Sequence, residues 1–335
     1  MNPGIEEISL PDVASIQIRR MSLPLRSPMV TAHGAIAARD VVVLRLVDAE
    51  ANVGHGEAAP LAGFTSETVD EAEQALHHWA DDPENPLPPT ARAAVDGALL
   101  DLAAQAAGRP LHDLLAPGSP GVVPVSALVG GITPAEAAGA ARAAIDSGHR
   151  TVKVKVAAGP FEADLARLIA VREVIGDARL RIDANGGWTA DEAPGHLARL
   201  ADLDIEFVEE PVAGLDALAG VRATSPVPVA VDESISTPVD LDRAIAMGSA
   251  DVVILKPSAL GGPLITAAAA GTATDAGLTV VVTSLLEGSV GIRAAAHLAS
   301  AIRALDPAPG LATASLLVGD SGPPLLAVDG ALHLS

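Results

Sequence analysis

The sequence contains no cysteine and no tyrosine, and only 21 of its 335 residues are lysine or arginine. Without cysteine, disulfide bonds and thiolate metal sites are excluded. A formal net charge of −21 without any basic cluster excludes nucleic acid and anionic membrane surfaces as partners. No apolar run approaches the roughly 20 residues of a transmembrane helix. Glu6 and Glu7 precede the first apolar stretch, the reverse of a secretory signal. We therefore expect a cytoplasmic globular protein.

Lysine is the scarcest of the charged residues. Eighteen of the 21 basic residues are arginine, and the three lysines are Lys153, Lys155 and Lys256. Arginine stays charged in proteins, whereas a buried lysine can be tuned to release its proton near neutral pH. A lysine retained in a chain whose other basic residues are all arginine is therefore predicted to transfer protons.

Residues 1–118 have the pattern of an α+β domain. Strand-like stretches at 13–18 and 41–47 precede helical patterns from Thr68 to Trp79 and from Thr90 to Ala107. A Pro- and Gly-rich linker follows, and residues 119–322 are predicted to form a second domain. Residues 325–334 are typical of a hairpin that packs back on the N-terminal domain, so 323–335 are assigned to that domain.

From residue 123 onward, strand-like runs alternate with helical ones. The later runs end near residues 155, 183, 209, 232, 256 and 284, at intervals of 23 to 28 residues. Each interval has room for one helix, one strand and two short loops. Seven such strands predict a parallel (β/α) barrel. An open doubly wound sheet is disfavoured because no GxGxxG motif follows the first strand.

Charged residues stand at the ends of five consecutive predicted strands. These residues are Lys153 and Lys155, Asp183, Glu209, Asp232 and Lys256. All would meet at one face, because a parallel barrel delivers the C-terminal ends of its strands to one mouth. Singly, each acid also fits a turn, a solvated loop or a helix cap. Together, three converging acids require a cation, and an oxygen-only ligand set favours Mg²⁺ over Zn²⁺.

In order along the chain, five motifs resemble the enolase superfamily in its muconate-lactonizing subgroup. They are Lys-x-Lys at 153–155, Asp-Ala-Asn at 183–185, Glu-Glu-Pro at 209–211, Asp-Glu-Ser at 232–234 and Leu-Lys-Pro at 255–257. The resemblance spans nearly the whole chain. It implies a modified TIM-type (β/α) barrel with an α+β capping domain.

The resemblance also implies an activity and its residues. The reaction would be Mg²⁺-dependent removal of a proton α to the carboxylate of a small molecule. Asp183, Glu209 and Asp232 would be the metal ligands. Lys155 would be the base, Lys153 its electrostatic neighbour and Lys256 the group on the opposite face. Asn185 and Glu233 would support the ligands.

Within the subgroup, four stretches resemble the o-succinylbenzoate synthases of menaquinone synthesis. They are residues 56–64, 183–188, 256–262 and 310–313. Residues 284–291 resemble cycloisomerases and dipeptide epimerases as much as they resemble these synthases. A muconate-type cycloisomerase and a racemase or epimerase of dipeptides or N-acylamino acids therefore stay open, as does an inactive barrel that binds a small acid. No Asp-x-Asp pair, the ammonium-binding motif expected of a dipeptide epimerase, lies near Ser284.

Substrate contacts are predicted in the capping domain and in the last barrel loops. Residues 23–34 and 60–64 are predicted lids, with Gly34 and Gly63 as hinges. Phe64 is predicted to contact the substrate or to anchor the lid. Ser284 and the helix start at 288–289 are predicted to bind a substrate carboxylate, with Glu287 in the same stretch. A homo-oligomer is compatible with the sequence.

Overall fold

The computed structural model describes residues 8–31 and 34–335. Its strands are β1 (Ser15–Thr31), β2 (Gly34–Val47), β3 (Val53–Ala58), β4 (Val122–Pro124), β5 (Ala127–Val129), β6 (Thr151–Lys155), β7 (Arg179–Asp183), β8 (Ile205–Glu209), β9 (Val229–Val231), β10 (Val252–Leu255), β11 (Thr279–Val282) and β12 (Ala331–His333). Its helices are α1 (Val69–Asp81), α2 (Pro89–Ala107), α3 (Leu111–Leu115), α4 (Pro134–Asp146), α5 (Phe161–Ile175), α6 (Ala193–Leu200), α7 (Leu215–Arg222), α8 (Pro238–Met247), α9 (Pro257–Leu260), α10 (Pro263–Asp275) and α11 (Ser289–Ala301).

The N-terminal domain is a three-stranded antiparallel sheet, in the order β1-β2-β3, that packs against α1 and α2. Helix α1 begins with a capping box, in which the Thr68 hydroxyl accepts from the Glu71 amide while the Glu71 carboxylate accepts from the Thr68 amide. At Gly56 a Cβ atom would lie 1.8 Å from the carbonyl oxygen of Ala94. β3 and α2 therefore pack more closely than any larger residue at position 56 would allow.

The second domain is a barrel of seven parallel strands, in the order β5 to β11. Residues 308–311 close it without forming a regular strand. The Gly310 amide donates to Val282 O at 2.9 Å, and the Ser126 amide on the other side donates to Pro309 O at 2.9 Å. The predicted (β/α) barrel with a capping domain is confirmed. Its first predicted strand, however, is divided into β4 and β5.

The C-terminal segment lies on the barrel rather than on the capping sheet. β12 pairs antiparallel with β4, with Leu332 opposite Val123. Leu332 is fully buried among the residues of the barrel core. This corrects the prediction that the hairpin packs back on the N-terminal domain, because its apolar side chain is buried by the barrel. The domain boundaries at 118 and 323 stay predictions.

β6 explains why charge lies inside this barrel. Val152 and Val154 are fully buried in the core shared with the surrounding helices, so Lys153 and Lys155 alternate to the other face. Both lysines there contact Asp183 at the end of the neighbouring strand β7. Among the described helices, none combines the length and apolar character needed to span a membrane.

Candidate active site

Three acids lie at the C-terminal ends of adjacent barrel strands. Asp183 ends β7, Glu209 ends β8, and Asp232 follows β9. Their exposed fractions are 0%, 2% and 5%. The Nζ atom of Lys153 lies 3.0 Å from Asp183 Oδ2 and 3.0 Å from Glu209 Oε1. Lys153 thus bridges two of the acids from within the barrel.

Lys155 lies nearer the barrel opening. Its side chain is 43% exposed, compared with 20% for Lys153. Its Nζ atom donates to Asn185 Oδ1 at 2.7 Å and lies 2.8 Å from Asp183 Oδ2. Asn185 adopts a φ of 47°, a conformation that Asn tolerates better than most residues, and its Nδ2 donates to Glu233 Oε1 at 2.6 Å. Lys155 is therefore both held in place and open to a small ligand.

Lys256 approaches the acids from the opposite side. It directly follows β10, is 11% exposed, and its ammonium contacts Asp232 Oδ1. The Phe64 ring from the capping domain lies 4.7 Å from Lys256 Nζ, within cation–π range. Lys155 and Lys256 stand on the first and fifth of five adjacent strands, so the three acids lie between them.

The lysines neutralise the acids unequally. Burial raises the pKa of Asp183, but Lys153 and Lys155 outweigh this effect and hold that pKa well below its usual range. Burial raises the pKa of Glu209, and the charge of Asp183 raises it further. The pKa of Asp232 is also raised, because burial outweighs the attraction of Lys256. Two of the three carboxylates would therefore gain from additional positive charge.

The donor set fits a hard divalent cation. It offers carboxylate oxygens only, and Glu233 Oε2 beside it is buried without a hydrogen-bond partner within the described residues. Across residues 8–31 and 34–335, no three Asp, Glu or His side chains form a ready-made metal cluster. The ammonium groups of Lys153 and Lys256 lie against the acids instead. The fit therefore rests on the chemistry and charge of these carboxylates.

The predicted carboxylate site at the start of α11 is wrong. The amides of Gly288 and Gly291 donate to Glu57 at 2.7 and 2.9 Å, and the Ser289 amide donates to Asp320 Oδ1 at 2.6 Å. A helix N-terminus attracts anions through its free amides, but here carboxylates of the protein already accept from those amides.

Ser284 and Glu287 also have partners within the protein. The Ser284 hydroxyl lies 2.6 Å from Thr313 Oγ1. Glu287 is 1% exposed and accepts from the Leu285 amide, and burial together with nearby Glu57 raises its pKa to about 7. Their predicted substrate contacts stay predictions.

The first predicted lid is only partly described, because Ala32 and His33 lie outside the described residues. Its first part belongs to β1 and is tied to the barrel, since Val318 N donates to Pro24 O at 2.8 Å and Arg26 Nε donates to Ser315 O at 2.9 Å. In the second predicted lid, Gly63 has a φ of 90°, which only glycine adopts readily.

Three buried charged residues near the site were not predicted as site residues from the sequence. Glu210 accepts from the Asp232 amide at 2.7 Å and contacts the Ser234 hydroxyl, so it orients the segment that carries Asp232. Its place in the Glu-Glu-Pro motif was the available signal. Arg39 and Glu57 connect the two domains. Glu57 lies in the resembling stretch 56–64, whereas no sequence pattern marked Arg39.

Two family models match the chain. Residues 136–335 match the model described as enolase C-terminal domain-like. Residues 13–87 match the model described as the MenC N-terminal domain. The two matches correspond to the barrel and the capping sheet.

Similar proteins carry more than one activity. An o-succinylbenzoate synthase of Thermobifida fusca is 46% identical over 214 residues, which cover 63% of this chain and 66% of that relative. An L-Ala-D/L-Glu epimerase of Bacillus subtilis is 31% identical over 315 residues, covering 87% of this chain and 86% of the relative. The structure of a dipeptide epimerase from Enterococcus faecalis, complexed with Mg and the dipeptide L-Leu-L-Tyr, superposes with a TM-score of 0.89 at 28% identity, covering 96% of this chain and 97% of that one.

Proposed function

The chain belongs to the enolase superfamily, and from this premise we propose that it is a Mg²⁺-dependent lyase that dehydrates the cyclohexadiene precursor of o-succinylbenzoate in menaquinone biosynthesis. The observation that carries the proposal is the position of Lys155. Its half-exposed ammonium lies 2.8 Å from the buried carboxylate of Asp183, at the strand ends where barrel enzymes bind their substrates.

Mg²⁺ held by Asp183, Glu209 and Asp232 would stabilise the negative charge that develops on the substrate carboxylate when the α-proton leaves. The raised pKa of Glu209 and of Asp232 supports this placement, because both carboxylates gain from a nearby cation.

Residues of the protein would carry out the proton transfer and supply further positive charge. Lys155 acts as the base that takes the α-proton, and the electron pair passes to the substrate carboxylate as an ene-diolate. The pair then returns to the ring and expels the hydroxyl group on the same face, which leaves as water with the proton that Lys155 returns. Lys153 and Lys256 supply fixed positive charge, since Asp183 and Asp232 respectively raise their pKa despite burial.

The end of β11 favours this substrate over a dipeptide. A dipeptide carries an ammonium group that needs an acceptor, and the sequence there is Ser284-Leu285-Leu286. The next acid along the chain, Glu287, is buried and already accepts from the Leu285 amide. Similarity to the o-succinylbenzoate synthase of Thermobifida fusca and to the MenC N-terminal domain points the same way.

A second candidate is racemisation of an N-acylamino acid, which carries no free ammonium. It is favoured by the placement of Lys155 and Lys256 on opposite sides of the acids. In such a 1,1-proton transfer each lysine exchanges the α-proton on its own face, whereas dehydration needs only Lys155 as base.

The two candidates are separated by kcat/KM, which compares transition-state stabilisation for competing substrates. We expect kcat/KM for dehydration of the cyclohexadiene precursor to exceed kcat/KM for epimerisation of N-acylamino acids and dipeptides, measured side by side with Mg²⁺. If either epimerisation is faster by about tenfold, a difference of about 1.4 kcal/mol, the lyase proposal is wrong.

A further inference from the structure

Arg39 on β2 is a buried cation that contacts both domains. It is 4% exposed and donates four hydrogen bonds to backbone carbonyls. Nη1 donates to Pro60 O and Nη2 to Ala59 O, each at 2.8 Å. Nε donates to Leu286 O and Nη2 to Leu285 O, each at 3.3 Å. One guanidinium thus holds two segments that are more than 200 residues apart in the sequence.

Both segments border the active site. The cap loop (residues 59–65) carries Phe64, whose ring lies 4.7 Å from Lys256 Nζ. The barrel loop (residues 284–288) begins at Ser284, two residues beyond the C-terminal end of β11. Both loops therefore lie at the mouth of the barrel, and Arg39 hydrogen-bonds to each of them.

The capping domain also holds the far end of the barrel loop. Glu57 on β3 is 4% exposed and accepts from the Gly288 amide at 2.7 Å. Both Glu57 and Glu287 lie near enough to Arg39 to stabilise its charge against the cost of burial. Because Arg39 and Glu57 bind this loop at Leu285, Leu286 and Gly288, its position is coupled to that of the capping domain.

We propose that Arg39 is a positioning residue that sets the separation between the cap loop and the barrel loop, and so the space available to the part of the substrate remote from its reacting carbon. The planar guanidinium has five donors in a fixed fork, so it reaches carbonyls on both sides at once. A lysine ammonium has its donors on one atom. The proposal rests on the proposed function only for the choice of substrate.

Hydrogen–deuterium exchange of the substrate-free enzyme tests this role without reference to any reaction. The reporting amides of Leu61 and Phe64 donate within the cap loop, and that of Leu285 donates within the barrel loop. In Arg39→Met we expect exchange in both loops to accelerate by about tenfold or more, because hydrogen bonds to a charged donor are lost on both sides. The matched control is Arg45→Met, a half-exposed arginine on the same strand, which should leave both loops unchanged.

Kinetics supply the second measurement. On the substrate that the wild type turns over fastest, Arg39→Met should raise KM by about tenfold with a smaller change in kcat, because uniform binding is lost while the base and acids stay in place. The KM of Arg39→Lys should lie between those of the wild type and Arg39→Met. If the methionine variant does not fold, the lysine variant is used for both measurements.

Two results would overturn the proposal. Exchange that accelerates in one loop only, or in neither, would show that Arg39 does not couple them. Exchange that rises evenly over the whole barrel with an unchanged KM would indicate a purely structural role. If the wild type does not dehydrate the precursor, the proposed function is wrong, but the exchange measurement still tests the role of Arg39.

Discussion

Replacing Lys155 with arginine is expected to lower kcat by about 10³-fold, within the range that a general base contributes, while the protein stays folded. Arginine keeps the positive charge beside Asp183 but cannot release its proton at neutral pH. Lys155 is 43% exposed, so the larger guanidinium has room. The measurement is steady-state dehydration of the cyclohexadiene precursor with Mg²⁺, with far-ultraviolet circular dichroism as the check on folding.

Lys153→Arg is the matched comparison for that experiment. The charges of Asp183 and Glu209 outweigh burial and raise the pKa of Lys153, so we assign it a permanent positive charge that arginine can replace. Its kcat should therefore fall less than that of Lys155→Arg. Equal losses in the two variants, or substantial turnover by Lys155→Arg, would mean that Lys155 is not the base.

Asp232→Asn is expected to lower Mg²⁺ affinity by about 100-fold or more, because one of three charged ligands becomes neutral at almost unchanged volume. Asp232 is 5% exposed and its ammonium partner is Lys256, so the substitution also leaves that charge without its acid. Calorimetric titration of Mg²⁺ into the wild type and the variant measures the effect directly.

The control for this substitution is Asp242→Asn, which removes the same charge from an exposed position on α8. It should bind Mg²⁺ as the wild type does, because charges on the surface are screened over about 8 to 10 Å at ordinary salt. Unchanged affinity in Asp232→Asn, or equal losses in both variants, would contradict the assignment of Asp232 as a ligand.

The charged centre was predictable because strand periodicity and spacing are local properties. Alternation in β6 separates Lys153 and Lys155 from the buried valines, and parallel strands deliver their ends to one face. The structure brings Lys153 and Lys155 to Asp183, and Lys256 to Asp232, as those patterns indicated. The aromatic contact of Phe64 with Lys256 agrees with the expectation that the capping domain reaches the site.

The features that could not be predicted from the sequence depend on contacts between distant segments. The amides at the start of α11 are free in any local view of residues 288–291, yet Glu57 from the capping domain occupies two of them. Arg39 lies in a strand without any local signal of its carbonyl partners. The barrel closes through the irregular residues 308–311, which have no strand pattern. Each depends on how the two domains or the ends of the barrel meet.

Loss of the α-proton in deuterated water tests the central claim most directly. The cyclohexadiene precursor, N-acylamino acids and dipeptides are each followed by proton nuclear magnetic resonance with wild type and Lys155→Arg, with Mg²⁺ or with excess chelator. We expect rapid loss of the α-proton signal of the precursor, with o-succinylbenzoate appearing, only in the wild type with Mg²⁺. Loss of that signal at the same rate in chelator, or no loss from any of these carboxylates with Mg²⁺ present, would contradict this expectation.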